Sequence, residues 1–202
     1  MDSGRQLTNV LSFLKFILFG ANDASLPLPT CNQHVPLDKF KENLSKIITH
    51  PNITAHHPKI FLVTPPPLDE IRVTKLDLAW GHPAATRQAK ISASYSEAVR
   101  QVAAEHPGTT TLVDLWKGIM DTAVAKTPGF DPNGESLGDP MSGQQGYLEH
   151  LLTDGLHLSG ESYRIFYDLV KPLIGSEWAG FPEEDRVGYI LPDWRTAPWL
   201  DD

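Results

Sequence analysis

The chain has 202 residues, 41% of them hydrophobic and 21% charged, a size and balance that suit one globular domain of 1–202 and exclude wholesale disorder. Seventeen basic against 25 acidic side chains leave a formal charge of −8, so the concentrated basic face needed by nucleic acid or an anionic membrane is excluded, and neither is expected as a partner. A single cysteine, Cys31, excludes intrachain disulfides and cysteine-rich zinc sites, and predicts a reducing, cytoplasmic compartment.

Met1 to Ala24 has the outline of a secretory signal, with Arg5, an apolar run from Val10 to Gly20, and Ala24 at a cleavage position. Asp2 offsets Arg5 and Lys15 splits the run, so the segment reads instead as part of the domain. No stretch reaches the ~18 apolar residues that span a bilayer. Phe13 to Phe19 is bulky and apolar on both faces, as a strand between two helix layers should be. Leu37, Phe40, Leu44, Ile47 and Ile48 then recur at helical spacing. Lys59 to Thr64 predicts a second buried strand, stopped by Pro65-Pro66-Pro67. Tyr95, Ala98, Val99 and Val102 mark another amphipathic helix, closed by Pro107-Gly108. Thr110 to Leu115 predicts a third strand.

The stretch 117–146 is rich in Gly, Pro and Asp and shows no period, which predicts a lid-like or binding loop. A last helix starts near Ser159, with Tyr163, Phe166, Tyr167, Val170 and Leu173 expected on its inner face. The tail 175–202 carries Trp178, Phe181, Tyr189, Trp194 and Trp199 among prolines and acids, which suggests an extended aromatic strap. Strand and helix alternate three times, the signature of an α/β fold with a parallel sheet.

In such sheets ligands sit outside the carboxyl ends of the strands. Gly20-Ala21-Asn22-Asp23 follows the first strand. Glycine lets the backbone turn sharply there, and an asparagine behind it can aim its amide at a bound oxygen. The same pattern is also ordinary turn chemistry. Asp154-Gly155-Leu156-His157 precedes the last helix. An aspartate three residues before a histidine can fix the imidazole tautomer and leave the other nitrogen free as a base. The alternative is a turn-capping Asp154 and a histidine satisfied in the core. His56-His57 lies in a polar loop, and no metal-ligand spacing such as H-E-x-x-H occurs, so no metal is expected.

Five segments in order carry a resemblance. Phe19-Gly20-Ala21-Asn22-Asp23-Ala24, Gln33-His34-Val35-Pro36-Leu37, Thr64-Pro65-Pro66-Pro67, Val113-Asp114-Leu115-Trp116 and Asp154-Gly155-Leu156-His157-Leu158 resemble the SGNH (GDSL-type) hydrolases. Within that family they resemble the isoamyl acetate-hydrolysing esterases, and Leu191-Pro192-Asp193-Trp194 extends the likeness. The resemblance implies a three-layer, flavodoxin-like fold and hydrolysis of a small carboxylic ester through an acyl-enzyme, with no cofactor. Asn22 matches the family's oxyanion-hole asparagine, and Gly20 and Asp23 match its neighbours. His157 matches the general base, and Asp154 the carboxylate that orients it.

Two earlier blocks of the family have no match: the Gly-Asp-Ser segment that carries the nucleophile, and a glycine of the oxyanion hole. Asp2-Ser3-Gly4 follows no strand, Ser25 falls where the family has variable loop residues, and Ser162 falls inside a helix without the second glycine of a nucleophile elbow. The expectation is therefore a domain without the first two strands of a 2-1-3-4-5 sheet. Its Phe13 to Phe19 strand would be an apolar edge inviting self-association. Three readings stay open: an impaired ester hydrolase, an inactive relative or fragment that binds small esters, and an acidic α/β binding module.

Overall fold

A computed structural model of the chain describes residues 14–29, 31–55 and 57–174. Three strands, β1 (Leu14–Leu18), β2 (Lys59–Val63) and β3 (Thr110–Val113), form a parallel sheet in the order β1-β2-β3. The register sets Phe16 opposite Phe61 and Leu62 opposite Leu112. Helices α1 (Leu37–Thr49) and α2 (Pro51–Thr54) join β1 to β2, while α3 (Glu70–Ala79) and α4 (Ala89–Glu105) join β2 to β3. Beyond β3 come α5 (Leu115–Ala125), the short α6 (Leu148–Leu151) and α7 (Gly160–Ile174). Residues 1–169 form one compact unit and 170–202 another. The expected strap, 175–202, lies outside the described residues.

Helices α1 and α4 pack together on one face of the sheet. There Ile17, Ile60 and Leu62 meet Phe40, Leu44 and Ile48 of α1 and Tyr95, Ala98, Val99 and Val102 of α4. Period-2 alternation sends Phe61 and Val63 to the opposite face, where both are fully buried. Coverage of both faces explains why β2 is an unbroken apolar run. β1 differs. Ile17 is buried, but Phe16 is 44%, Leu18 39% and Phe19 52% exposed, and Phe16 stacks on Phe61 at 4.8 Å between ring centroids. Among the described residues no strand pairs with the outer edge of β1.

Several expectations need correction. The stretch 117–146 is not one loop, because its first third is the body of α5. The sequence pattern hides this helix, since Leu115 reads as the end of a strand and Gly118 interrupts the run. Asp114 caps the helix by accepting from the Lys117 N–H at 3.1 Å. Leu115, Ile119, Met120 and Ala123 form its buried face. A Cβ at Gly118 would lie 2.8 Å from Leu169 Cδ1 of α7, so the helix accepts a poor helix former to let α7 approach. The remainder, 126–146, is pinned by buried Leu137 and by the Ile71 N–H donating to Gly138 O at 3.2 Å.

On α7, Tyr163 and Tyr167 face solvent at 61% and 51% exposure, against the expected inner face. Ser162 is the buried residue of its first turns, with Ile165, Phe166 and Leu169 half-buried. Ser159 does cap the helix, accepting from the Ser162 N–H at 3.4 Å. Helix α3 has no clear apolar period, because its buried residues are Val73 and Asp77 while Leu78 is exposed. A buried aspartate at a core position erases the signal that sequence reading relies on. No helix among the described residues is long and apolar enough to cross a membrane.

Candidate active site

β1 ends at Leu18, and Gly20 (φ 113°) reverses the chain into a turn closed by the Ala24 N–H donating to Gly20 O at 3.0 Å. A side chain at Gly20 would crowd Pro65 Cγ at 3.1 Å and Phe40 Cζ at 3.2 Å. The Asp23 carboxylate accepts from the Gly20 N–H at 3.2 Å, and Asp23 O accepts from the Val35 N–H at 3.1 Å. Gly20 and Asp23 thus build the turn from behind, and Asn22 stands exposed at its tip.

The second contribution comes from the turn entering α7. Asp154 Oδ1 accepts from the N–H groups of Leu156 at 3.0 Å and His157 at 2.8 Å, while Oδ2 takes His157 Nδ1 at 2.7 Å. Burial pushes the Asp154 carboxyl up, but the bonds from His157 and Leu156 outweigh it and hold the pKa at about 2. An ionised carboxylate only accepts, so His157 donates from Nδ1, and Nε2 is the nitrogen not engaged by Asp154. The His157 side chain is 75% exposed.

Packing fixes this turn. Gly155 (φ 89°) donates no side chain because a Cβ would lie 2.8 Å from Asp69 O. Its own carbonyl accepts from the Asp69 N–H at 2.9 Å. Asp69, fully buried, caps α3 through the Arg72 N–H at 3.1 Å and takes the Gln145 side-chain amide at 2.6 Å. The Asp154 bonds should support the turn at every pH where the carboxyl is ionised. Because its pKa is lowered, this support is complete above the ordinary aspartate value near 4 and disappears as pH falls through about 2. The acid unfolding of Asp154→Asn is therefore expected to lack one protonation step below pH 4, and proton uptake followed by potentiometric titration checks it.

Asn22, Asp154 and His157 line one cavity of about 310 Å³. Gly20 and Asp23 do not line it. The remaining wall is Val73, Leu76, Asp77 and Trp80 of the α3 region with Gln33, Arg87 and Leu156; of these only Gln33 and Leu156 fall in segments that the sequence singles out. Trp80 is 70% exposed at the end of α3, a large indole left in water at the cavity wall that only the structure reveals. Among the described residues no serine lines the cavity. Ser25 is buried behind the Asn22 turn, and Ser162 Oγ donates to Leu151 O at 2.6 Å inside α7. Ser3 lies outside the described residues. Among those residues no group of three or more His, Cys, Asp or Glu is gathered to hold a metal.

The family model for GDSL-like lipase/acylhydrolases matches residues 13–170, from β1 to α7. The chain belongs to this family. Its similarity to a GDSL esterase/lipase of Arabidopsis thaliana is 30% identity over 169 residues, covering 83% of the chain and 61% of that relative. With the isoamyl acetate-hydrolyzing esterase of Saccharomyces cerevisiae it shares 29% over 189 residues, covering 92% of the chain and 65% of the relative. This GDSL-family chain thus spans about three fifths of the length of the curated relatives it matches. In fold it is similar to an acetyl-xylooligosaccharide esterase from Geobacillus (TM-score 0.52, 20% identity, 84% of this chain and 62% of that one). A lipase/acylhydrolase from Enterococcus faecalis is similar too (TM-score 0.51, 24% identity, 79% and 59%).

Proposed function

We propose that this chain carries the base and oxyanion side of a carboxylic ester hydrolase site, shaped for short acyl esters of the acetate class and working through an acyl-enzyme. The observation that carries the reading is the Asp154–His157 pair at 2.7 Å, opening onto the same cavity as Asn22. His157 Nε2 would take the proton of an attacking hydroxyl and later return it to the leaving alcohol. The Asn22 amide would donate to the oxyanion as the carbonyl carbon becomes tetrahedral. Val73, Leu76, Trp80 and Leu156 give the cavity an apolar side suited to alkyl groups. The names of two similar proteins, an isoamyl acetate-hydrolyzing esterase and an acetyl-xylooligosaccharide esterase, agree on acetate as the acyl group.

We infer that the chain by itself is an impaired hydrolase, a reading supported by a cavity lining that includes no serine among the described residues. An inactive relative that binds small esters is the second reading, favoured by that same observation. Residual acetate release from a short acetate ester separates them. Asn22→Ala is expected to lower the residual rate by about 10²–10³, the weight of one oxyanion donor, with Asp154→Asn slowing it as well. A residual rate that ignores both substitutions would overturn the hydrolase reading. Ester binding at His157 without any turnover would leave the binder.

A further inference from the structure

The cavity wall contains one cation, Arg87, and its guanidinium spends its donors on the protein itself. Nη2 donates to Asn22 Oδ1 at 3.2 Å and to Gln33 Oε1 at 2.9 Å, and Nε donates to Ala21 O at 3.4 Å. Nη1 donates to Thr86 Oγ1 at 3.3 Å. Thr86 is buried, and its hydroxyl and N–H both donate to Asp77 Oδ2 on α3, at 2.8 and 2.6 Å. Asp77 is buried as well. The backbone adds a second tie: Ser25 bridges Arg87, and the Leu26 N–H donates to Thr86 O at 2.7 Å. A continuous hydrogen-bonded line therefore runs from the interior of α3 through Thr86 and Arg87 to the tip of the turn after β1.

A guanidinium has five donors and no acceptor. Of the two ends of the Asn22 amide it can take only the oxygen. The NH₂ end is then turned away from Arg87 and left for whatever occupies the cavity. An asparagine amide on an exposed turn would otherwise rotate about χ2, a broad and nearly two-fold torsion, and offer oxygen and nitrogen alternately. An oxygen presented to a developing oxyanion would repel it, so the rotamer decides the sign of the interaction.

We propose that Arg87 is a positioning residue: with Thr86 and Asp77 behind it, it locks the Asn22 side chain with its amide N–H groups presented to a carbonyl or oxyanion acceptor. This rests on the ester reading only for the identity of the acceptor. The lock itself is independent of catalysis, so it can be tested in a chain of any activity. The use of Arg87 as a simple brace between loops is an outcome that the test separates.

The experiment is ¹⁵N NMR of the Asn side-chain amides in the full chain, with the Asn22 pair assigned by its loss in Asn22→Asp. Ethyl acetate, an uncharged ester, is the probe, so removal of a charge at Arg87 does not weaken its binding by Coulomb attraction alone. In the native chain the Asn22 NH₂ should be as rigid as the backbone, with two resolved protons, and should shift on addition of the ester. In Arg87→Ala it should become as mobile as the NH₂ of exposed Asn43, its two protons should collapse toward free-amide positions, and the ester shift should fall at least several-fold. Arg87→Lys, one donor head in place of the fork, should not restore the lock. If the amide is equally rigid in Arg87→Ala, Arg87 is a brace between loops and the proposal is overturned. A native Asn22 amide already as mobile as that of Asn43 overturns it too, and needs no variant that might misfold. An amide locked by Arg87 that ignores ethyl acetate keeps the proposal and removes the ester reading. An ester shift that survives in Arg87→Ala does the reverse.

Discussion

A fluorophosphonate probe is expected to label no serine when incubated with this chain. Such a probe reports a hydroxyl activated by a neighbouring base, because the unactivated alcohol is a poor nucleophile. The proposed base is in place: His157 is oriented by Asp154 at 2.7 Å. Among the described residues no serine lines the cavity with it. Ser25 is fully buried behind the turn and Ser162 is bonded to Leu151 O. In serine hydrolases loss of the nucleophile costs about 10⁶ in kcat, while the oxyanion hole and binding leave roughly 10³–10⁴ over water. Turnover of short acetate esters should fall within that remainder or below it, and should survive Ser3→Ala. Stoichiometric labelling of one serine, lost in His157→Ala, would show that a nucleophile reaches the cavity from the residues outside 14–174. The impaired reading would then be wrong, and the family assignment would stand.

Self-association is the second large effect expected. Phe16, Leu18 and Phe19 present bulky apolar surface on a strand whose outer edge has no partner among the described residues. A parallel sheet normally hides both faces of such a strand, and an open backbone edge is a template for another chain. Full burial of one Leu or Phe side chain contributes about 1.5–3 kcal/mol, which is large against a domain's total of roughly 5–15 kcal/mol. Light scattering should show association that grows with concentration. Leu18→Lys, which places a charge on the edge strand, should weaken it at least tenfold. A native chain that stays monomeric while unfolding cooperatively would show that this surface is covered within the chain, and the expectation would fail.

How much of this was readable from the sequence follows from the range of each interaction. Strand β2 announces itself because a strand buried on both faces must be a continuous apolar run, whereas β3 (Thr110-Thr111-Leu112-Val113), largely half-buried, shows through its β-branched residues. Helices α1 and α4 carry a plain 3.6-residue period because each presents one apolar stripe to one sheet face. The turn residues Gly20, Asn22, Asp154 and His157 stand out for a related reason: their chemistry is local, with every Asp154 bond to His157 or Leu156 closing within three residues. Helices α3 and α5 stayed hidden where a long-range demand overruled local preference. Asp77 is buried in α3 because Thr86 satisfies it, and Gly118 interrupts α5 because α7 needs the space.

The cavity wall was out of reach for the same reason. Asn22 and Arg87 are 65 residues apart, and Asp69 and Gln145 are 76 apart. Nothing in the composition around Arg87 tells it from any other surface arginine. By itself the sequence determined the α/β class, the family and the two turns to which the proposed site is assigned, since apolar period and turn stereochemistry act between near neighbours. Only the tertiary structure decided that those turns share one cavity, that Gly20 and Asp23 stand behind it, and that a guanidinium holds the Asn22 amide by its oxygen. Hydrogen bonds across 65 residues of chain leave no pattern in the sequence, because their partners meet only after the sheet has set the distance between them.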